Sequence, residues 1–483
     1  MASSGHLRPP REANMPTDIR TLLEAHSGRQ HEIFGRTVNP QLVRVLRTIG
    51  FDRNYVRAEG PLLYDADGND YLDLLSGYGV FALGRNHPRI LKALHEALDL
   101  SYPNMVQMDA PLAAGLLAER ILTYMPEGVD TVFFTNSGTE ANEGAIKFAR
   151  KATGRTRIIY WDHAFHGLTT GSLSMNGGAE FRKGFGDLLP GATKIPMGDL
   201  DALESELKKG DVAAFFFEPV QGKGVFVADP SFYPAAQTLC RKHGALLICD
   251  EVQTGFGRTG KMFAHEHWGL APDIVTMAKA LSGGFVPVGA ICYRRWIYDK
   301  VFTDMEHCVV HSNTFGRNIL AMAAGLASLD IIEEERLVEN AALMGQLIMD
   351  GVREMSGRFE MLSEVRGLGL MIGIEFGEPR SLTLKAGWKL VHAMNQSLFG
   401  QMITVPLMKE HRILTQVAGH HLDVVKLLPP LVIDESHVGR FLNAFESVMK
   451  ECHKFPGSAW KVTKDLAAAA ARSGRTAKEE AAT

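Results

Sequence analysis

Three stretches of this chain combine residue types and positions that could do chemistry. Asn136-Ser137-Gly138-Thr139-Glu140 follows an apolar run and opens a helix-period stretch, Ala141 to Ala152, that stops at Gly154. A strand–loop–helix junction of this kind leaves backbone N–H groups free at the helix N-terminus, where the dipole also favours an anion. Ser137 and Thr139 add hydroxyl donors, and Gly138 lets the backbone come close to a phosphate. The Ser137/Glu140 spacing also reads as a plain capping box. Asp250-Glu251 continues the apolar run Ala245–Cys249, at the strand end where open α/β sheets place ligands. A buried carboxylate needs a partner, and a cationic ring nitrogen suits it; an Asp that caps the next loop is the plainer alternative. Lys279 ends Asp273-Ile274-Val275-Thr276-Met277-Ala278, with Gly283-Gly284 soon after. Burial there would lower an amine's pKa, the condition for forming a Schiff base.

A competing signal is Gly255-Phe256-Gly257-Arg258-Thr259-Gly260, which satisfies G-x-G-x-x-G. A dinucleotide fingerprint wants its first glycine at the strand end and a full helix after the third. Here Asp250-Glu251 hold the strand end, where they would repel a pyrophosphate. Lys261 to Gly269 is too short and too rich in His and aromatic residues for that helix. A nicotinamide-dependent dehydrogenase is therefore the remote alternative.

The elements that must position these residues alternate strand and helix signals. Strands are expected at Thr131–Thr135, Arg157–Trp161, Val212–Val220, Ala245–Cys249, Ile274–Met277 and Val288–Tyr293. Helices are expected at Glu140–Thr153, Phe232–His243 and Asn318–Glu335. Several strands are apolar throughout, as burial on both faces requires, and the alternation predicts an α/β fold with a mostly parallel sheet. The expected division is an N-terminal segment, 1–83, belonging to a smaller α+β domain, a large domain over 84–350, and the rest of the small domain over 351–465. A tail over 466–483 reads as disordered, and residues 1 to about 20 as flexible.

The 483 residues carry 51 basic and 55 acidic side chains, which gives no concentrated basic face for nucleic acid or an anionic membrane. No apolar run is long enough to span a bilayer, and the N-terminus lacks the apolar core of a signal peptide. Five scattered cysteines without a C-x-x-C pair predict reduced thiols, a cytoplasmic protein and no metal site.

Taken together, the segments Asn136–Asn142 (NSGTEAN), Phe165-His166-Gly167, Glu218–Gly222, Asp250–Gly260, Asp273–Lys279 and Asn313–Asn318 resemble the class III aminotransferases. These are fold-type I pyridoxal-phosphate enzymes, and the resemblance spans roughly Arg57 to Val448. It implies that Lys279 is the Schiff-base lysine and that Asp250 partners the pyridine nitrogen. Ser137, Gly138 and Thr139 would hold the phosphate, Phe165 would stack on the ring beside His166, and Gln253 would reach the phenolic oxygen. Glu218 would be a supporting carboxylate. Thr314 would complete the phosphate cup of the neighbouring subunit in a homodimer. Tyr78 and Phe81 fall at the substrate entrance.

The chain departs from the family in one pair of positions. Many members acting on α-amino acids carry Gln-Gly-Glu and pair that glutamate with an arginine just before Pro-Pro-Leu. Here the stretches are Gln221-Gly222-Lys223 and Lys426-Leu427-Leu428-Pro429-Pro430-Leu431. A lysine does not reproduce the bidentate arginine fork on a carboxylate. The expected reaction is ping-pong amino transfer from a primary amine or ω-amino donor to a 2-oxo acid, aldehyde or ketone. Aminomutase, racemase and decarboxylase chemistry on the same fold is the alternative.

Overall fold

Val212–Phe217 offers water no polar face, and it lies wholly buried inside a seven-stranded sheet. The computed structural model describes residues 18–394, 398–419, 422–457 and 460, so the tail expected over 466–483 lies outside the described residues. Across the sheet the strands run Val129–Thr135, Gly289–Arg294, Ile274–Met277, Leu246–Asp250, Val212–Phe217, Arg157–Trp161, Ala192–Ile195. Only Gly289–Arg294 runs against the others; it is antiparallel to both neighbours, whereas the remaining pairings are parallel. Six strands therefore end on the same edge. The segments that follow them are brought together there: Asn136–Thr139, Phe165-His166, Glu218, Asp250 and Lys279.

Helices close both faces of the sheet. Ala141, Ile146 and Phe148 of helix Gly138–Thr153 pack with Ile297 over Ile158, Phe216 and Ile248 on one side. Phe232, Tyr233 and Cys240 of helix Phe232–His243 join Leu203 and Leu207 over Trp161, Phe215 and Leu247 on the other. Alternate residues of the central strands thus enter different cores, which is why these strands read as unbroken apolar runs.

The two ends of the chain meet in a second sheet. Tyr55–Glu59, Leu62–Asp65 and Asp70–Asp73 form antiparallel pairs, and Ile413–Leu414 adds in parallel to Asp70–Asp73. A third sheet orders Leu362–Leu368, Met371–Phe376, Val424–Leu427 and Gln416–Val417. It places Lys426 on a strand flanked on both sides.

The expected elements form with small shifts. The strand expected over Val212–Val220 stops at Phe217, because Pro219 cannot donate to a ladder. The edge strand Ala192–Ile195 gave too short and too polar a signal to be read from sequence. Residues expected to be flexible near position 20 already form helix Ile19–Ala25, capped by the Asp18 carboxylate. Among the described residues no helix is long and apolar enough to cross a membrane.

Candidate active site

Asp250 ends the central strand Leu246–Asp250 and is 3% exposed. Three donors hold its carboxylate. The Asn142 side-chain amide reaches Oδ2 at 2.8 Å, His166 Nδ1 lies 2.7 Å from the same oxygen, and the Val252 N–H reaches Oδ1 at 3.0 Å. Asn142 also donates to the His166 carbonyl at 2.7 Å, and the His166 N–H is held by Asn176 Oδ1 at 3.0 Å. The histidine ring sits behind Asp250 against Phe216, with ring centres 4.6 Å apart. An acidic group this deep is kept aimed into the cleft by donors on its far side.

Helix Gly138–Thr153 begins at the end of strand Val129–Thr135, with two strands between it and Leu246–Asp250. Its N-cap is Ser137, whose Oγ accepts from the Glu140 N–H at 3.3 Å, while the Glu140 carboxylate accepts from the Asn136 N–H at 2.8 Å. Ser137 is therefore the N-cap, but the box does not close, since Glu140 takes the N–H of Asn136 and not that of Ser137; capping does not compete with anion binding, because a spent acceptor leaves the hydroxyl hydrogen available. The Thr139 hydroxyl lies 2.6 Å from that of Thr169. A Cβ on Gly138 would stand 2.6 Å from Val252 Cγ1. Only glycine lets the helix start lie this close to the strand end carrying Asp250. Asn142 lies one turn beyond Gly138 on the same face, so one helix presents both the anion cradle and the amide that fixes Asp250.

Lys279 follows strand Ile274–Met277 with φ of +47°, a left-handed conformation that is uncommon for a non-glycine residue. Burial pushes its amine below the ordinary lysine range, an effect partly offset by the Asp250 and Glu218 carboxylates. Glu218 is itself pushed up by burial, with His166 opposing and Asp250 adding to the shift. Its oxygens accept from the Phe165 N–H at 2.9 Å and the Gly222 N–H at 2.8 Å. Glu218 thus ties the loop that carries Phe165 to the one that carries Lys223.

These groups line one cleft of about 1290 Å³. Ser137, Gly138, Thr139, Phe165, His166, Glu218, Asp250, Gln253, Lys279 and Tyr78 all border it. Phe81 does not: its ring lies beneath the Arg85 guanidinium, 4.0 Å from the ring centre, and against Gly77 and Gly284. Phe81 therefore acts by packing under the entrance. Thr314 is exposed and lies outside this chain's own cleft.

Three lysines border the cleft, Lys223, Lys279 and Lys426, and no arginine among the described residues does. Lys426 is 2% exposed; its ammonium donates to the Gly222 carbonyl and, at 2.6 Å, to Gln253 Oε1. Burial lowers its pKa to about 7, helped by Lys279 and opposed by Glu218. Gln253 in turn donates to the Tyr78 carbonyl at 3.1 Å. Lys223 pairs with Glu180 at 2.9 Å and lies over the Phe181 ring. The glycine-rich stretch Gly255–Gly260 forms a loop, with Gly257 and Gly260 at positive φ, followed by the short 3-10 helix Ala264–Trp268. No helix N-terminus faces a pyrophosphate there. Arg258 is buried and donates to the Leu370 carbonyl at 3.2 Å and to that of Pro429, binding the loop to the third sheet. The roles of Asn142 and Val252 escaped sequence reasoning, although Asn142 sits four residues after Gly138 within the NSGTEAN run.

The donor set fits pyridoxal phosphate. A helix start suits the phosphate, a rigidly held carboxylate suits a protonated ring nitrogen, and an amine with lowered pKa suits the carbonyl carbon. Comparison with known proteins points the same way. The sequence pattern described as "Aminotransferase class-III" matches residues 48–449. The chain is 35% identical over 450 residues to aminotransferase PigE of a Serratia species, covering 86% of this chain but 53% of that protein, so it spans about half of that relative's length. It is 36% identical over 433 residues to putrescine aminotransferase of Pectobacterium atrosepticum, covering 86% and 88% of the two chains. The fold superposes on ornithine aminotransferase of Toxoplasma gondii, a structure described as having partial occupancy of PLP at its active site. That match has a TM-score of 0.77 and 28% identity, over 91% of this chain and all of the other. With the match covering most of its length, this chain belongs to the class III aminotransferases, enzymes that transfer amino groups with pyridoxal phosphate as cofactor.

Proposed function

We propose that this enzyme takes its amino group from a primary amine or ω-amino donor and passes it to a 2-oxo acid, aldehyde or ketone by a ping-pong mechanism. The observation that carries this reading is the engagement of both lysines where the family can grip a carboxylate. Lys426 is spent on Gly222 and Gln253, Lys223 on Glu180, and no arginine lines the cleft among the described residues. A charge-assisted fork on an α-carboxylate is worth about 1.5–3 kcal/mol per bond, and here it has no evident supplier. Arg258 does not line the cleft, and its Nη1 donates to the Leu370 and Pro429 carbonyls. The similarity to a putrescine aminotransferase, named for a substrate without a carboxylate, supports the same donor class.

The bound cofactor supplies a carbonyl carbon for imine formation and a ring that accepts electron density. The chain's own residues do the rest. Lys279, its amine kept neutral more readily by burial, is the nucleophile and afterwards carries the proton to and from the substrate carbon. Asp250, fixed by Asn142, His166 and Val252, offers its carboxylate to the ring nitrogen. Ser137, Gly138 and Thr139 would hold the phosphate at the helix start, Phe165 would stack on the ring, and Gln253 would reach the phenolic oxygen.

The active form is read as a homodimer. Thr314 is exposed, and so are the apolar side chains Phe315 (62%), Val309 (69%) and Met108 (85%), which a partner chain could cover. The two-domain division at 83/84 and 350/351 is supported by the sheet that joins Tyr55–Asp73 to Ile413–Leu414, with helix Leu337–Ser356 as the continuous passage between units. Free cysteines, four of them buried, support a cytoplasmic setting.

Single-turnover rates with matched donors, with and without the α-carboxylate, test the donor class through the cofactor's visible absorption. The amine should react at least as fast as its α-amino acid analogue. An amino acid faster by more than about a hundredfold, ~2.7 kcal/mol, would overturn the reading.

A further inference from the structure

Gln253 is held from both ends of the chain. Its Oε1 accepts from the Lys426 ammonium at 2.6 Å, and its Nε2 donates to the Tyr78 carbonyl at 3.1 Å. Lys426 stands on strand Val424–Leu427 of the third sheet, and its ammonium also donates to the Gly222 carbonyl. Tyr78 lies in a left-handed run, Gly77, Tyr78 and Gly79, with φ of +60°, +62° and +90°. The two partners are of opposite kinds: an ammonium only donates and a carbonyl only accepts. A flipped amide would set nitrogen against ammonium and oxygen against carbonyl, so the orientation is imposed. A neutral amine at position 426 would still have two N–H groups for its two acceptors. Gly222 closes over the arrangement: a Cβ there would stand 2.9 Å from Glu218 Oε1 and 3.1 Å from Gln253 Oε1. Of the two hydrogens on Gln253 Nε2, one goes to Tyr78, and the other has no acceptor among the described residues. Gln253 borders the cleft together with Lys279 and Asp250.

Resting on the reading of Gln253 as the group that reaches the phenolic oxygen, we propose that Lys426 is a positioning residue that makes Gln253 offer that oxygen an N–H and not a carbonyl. An N–H there favours negative charge on the oxygen, and a carbonyl would oppose it. The lysine thereby couples the third sheet to the cleft. Lys279, Glu218 and Arg258 are the charged groups that act on Lys426. A charge effect of Lys426 on the site would not pass through Gln253, and this separates the two modes of action.

The test is a double-mutant cycle on the full chain, read on two quantities. One is the affinity of the apo-protein for pyridoxal phosphate, and the other is the pH midpoint of the bound cofactor's visible band. Gln253→Leu should weaken binding about tenfold, the scale of one hydrogen bond to a charged group. It should also move the midpoint to higher pH, since an oxygen left without its donor holds a proton more tightly. Lys426→Met should do the same in the parent chain, yet weaken binding by less than about twofold further when added to Gln253→Leu. Thermal melting checks that each variant is folded. If Lys426→Met does not fold, Lys426→Gln takes its place in both backgrounds, because an amide can donate or accept and so imposes no orientation. A loss equal in both backgrounds means that Lys426 acts by its charge alone and overturns the proposal. A Lys426→Met protein that matches the parent, beside a weakened Gln253→Leu, overturns it as well. If Gln253→Leu itself leaves affinity and midpoint unchanged, the reading of Gln253 fails and takes this inference with it.

Discussion

At the scale of single residues, Asp250 and Lys279 could be picked out because each ends an apolar run, and a charged residue at such a place needs a reason. What holds them could not be picked out. The Asn142 amide reaches Asp250 across 108 positions of sequence, and the Lys426 ammonium reaches Gln253 across 173. Lys426 illustrates the consequence for energetics. Its folded pKa of about 7 lies below the ordinary lysine value of 10.5 because the ammonium is stripped of water. Between those values the unfolded chain binds more protons than the folded one, so stability rises with pH through this window. The burial penalty is fully present below about pH 7. Lys426→Met should remove that dependence, so its stability should change less steeply between pH 7 and 10 than the parent's, by up to about 1.4 kcal/mol per pH unit. Denaturant unfolding at a series of pH values checks this. Parallel curves for the two proteins would mean that Lys426 stays protonated throughout.

At the scale of elements, helix Gly138–Thr153 does two jobs that its sequence shows separately. The start signal, Ser137 with Glu140, and the stop at Gly154 were legible as helix punctuation. The close approach of Gly138 to Val252 was not, since it depends on how the helix lies against the end of a strand three places away in the sheet. Gly138→Ala should therefore leave the helix intact and displace either Val252 or the helix start, because the added Cβ would meet Val252 Cγ1 at 2.6 Å. We expect the cofactor to be held about tenfold more weakly or worse, equivalent to ~1.4 kcal/mol, with far-ultraviolet circular dichroism unchanged. Titration of the apo-protein with pyridoxal phosphate measures it, and unaltered affinity would show that the junction absorbs the methyl group.

At the scale of the whole molecule, the exposed Thr314 and Phe315 argue for a second copy of the chain. Sedimentation should find a dimer. Mixing inactive Lys279→Ala chains with chains inactivated at Thr314 should return part of the activity, because each heterodimer would contain one site with both an intact lysine and an intact partner threonine. Heterodimers that form and stay inactive would place Thr314 outside its neighbour's site.

The sequence by itself determined the fold class, the strands that carry the site and the residues at their ends. Continuous apolar runs can be satisfied only inside a covered sheet, and polar residues at the ends of such runs fall on one edge when the strands are parallel. Tertiary structure alone decided that Phe81 packs under the entrance and does not line it, that Gly255–Gly260 closes into a loop pinned by Arg258, and that the lysines are engaged. Those outcomes depend on which distant carbonyl or carboxylate comes within about 3 Å, the range in which a hydrogen bond counts. Spacing along the chain carries no record of that distance. Lys223 reads as a departure from a family pattern; only beside Glu180 does it become a cation already spoken for.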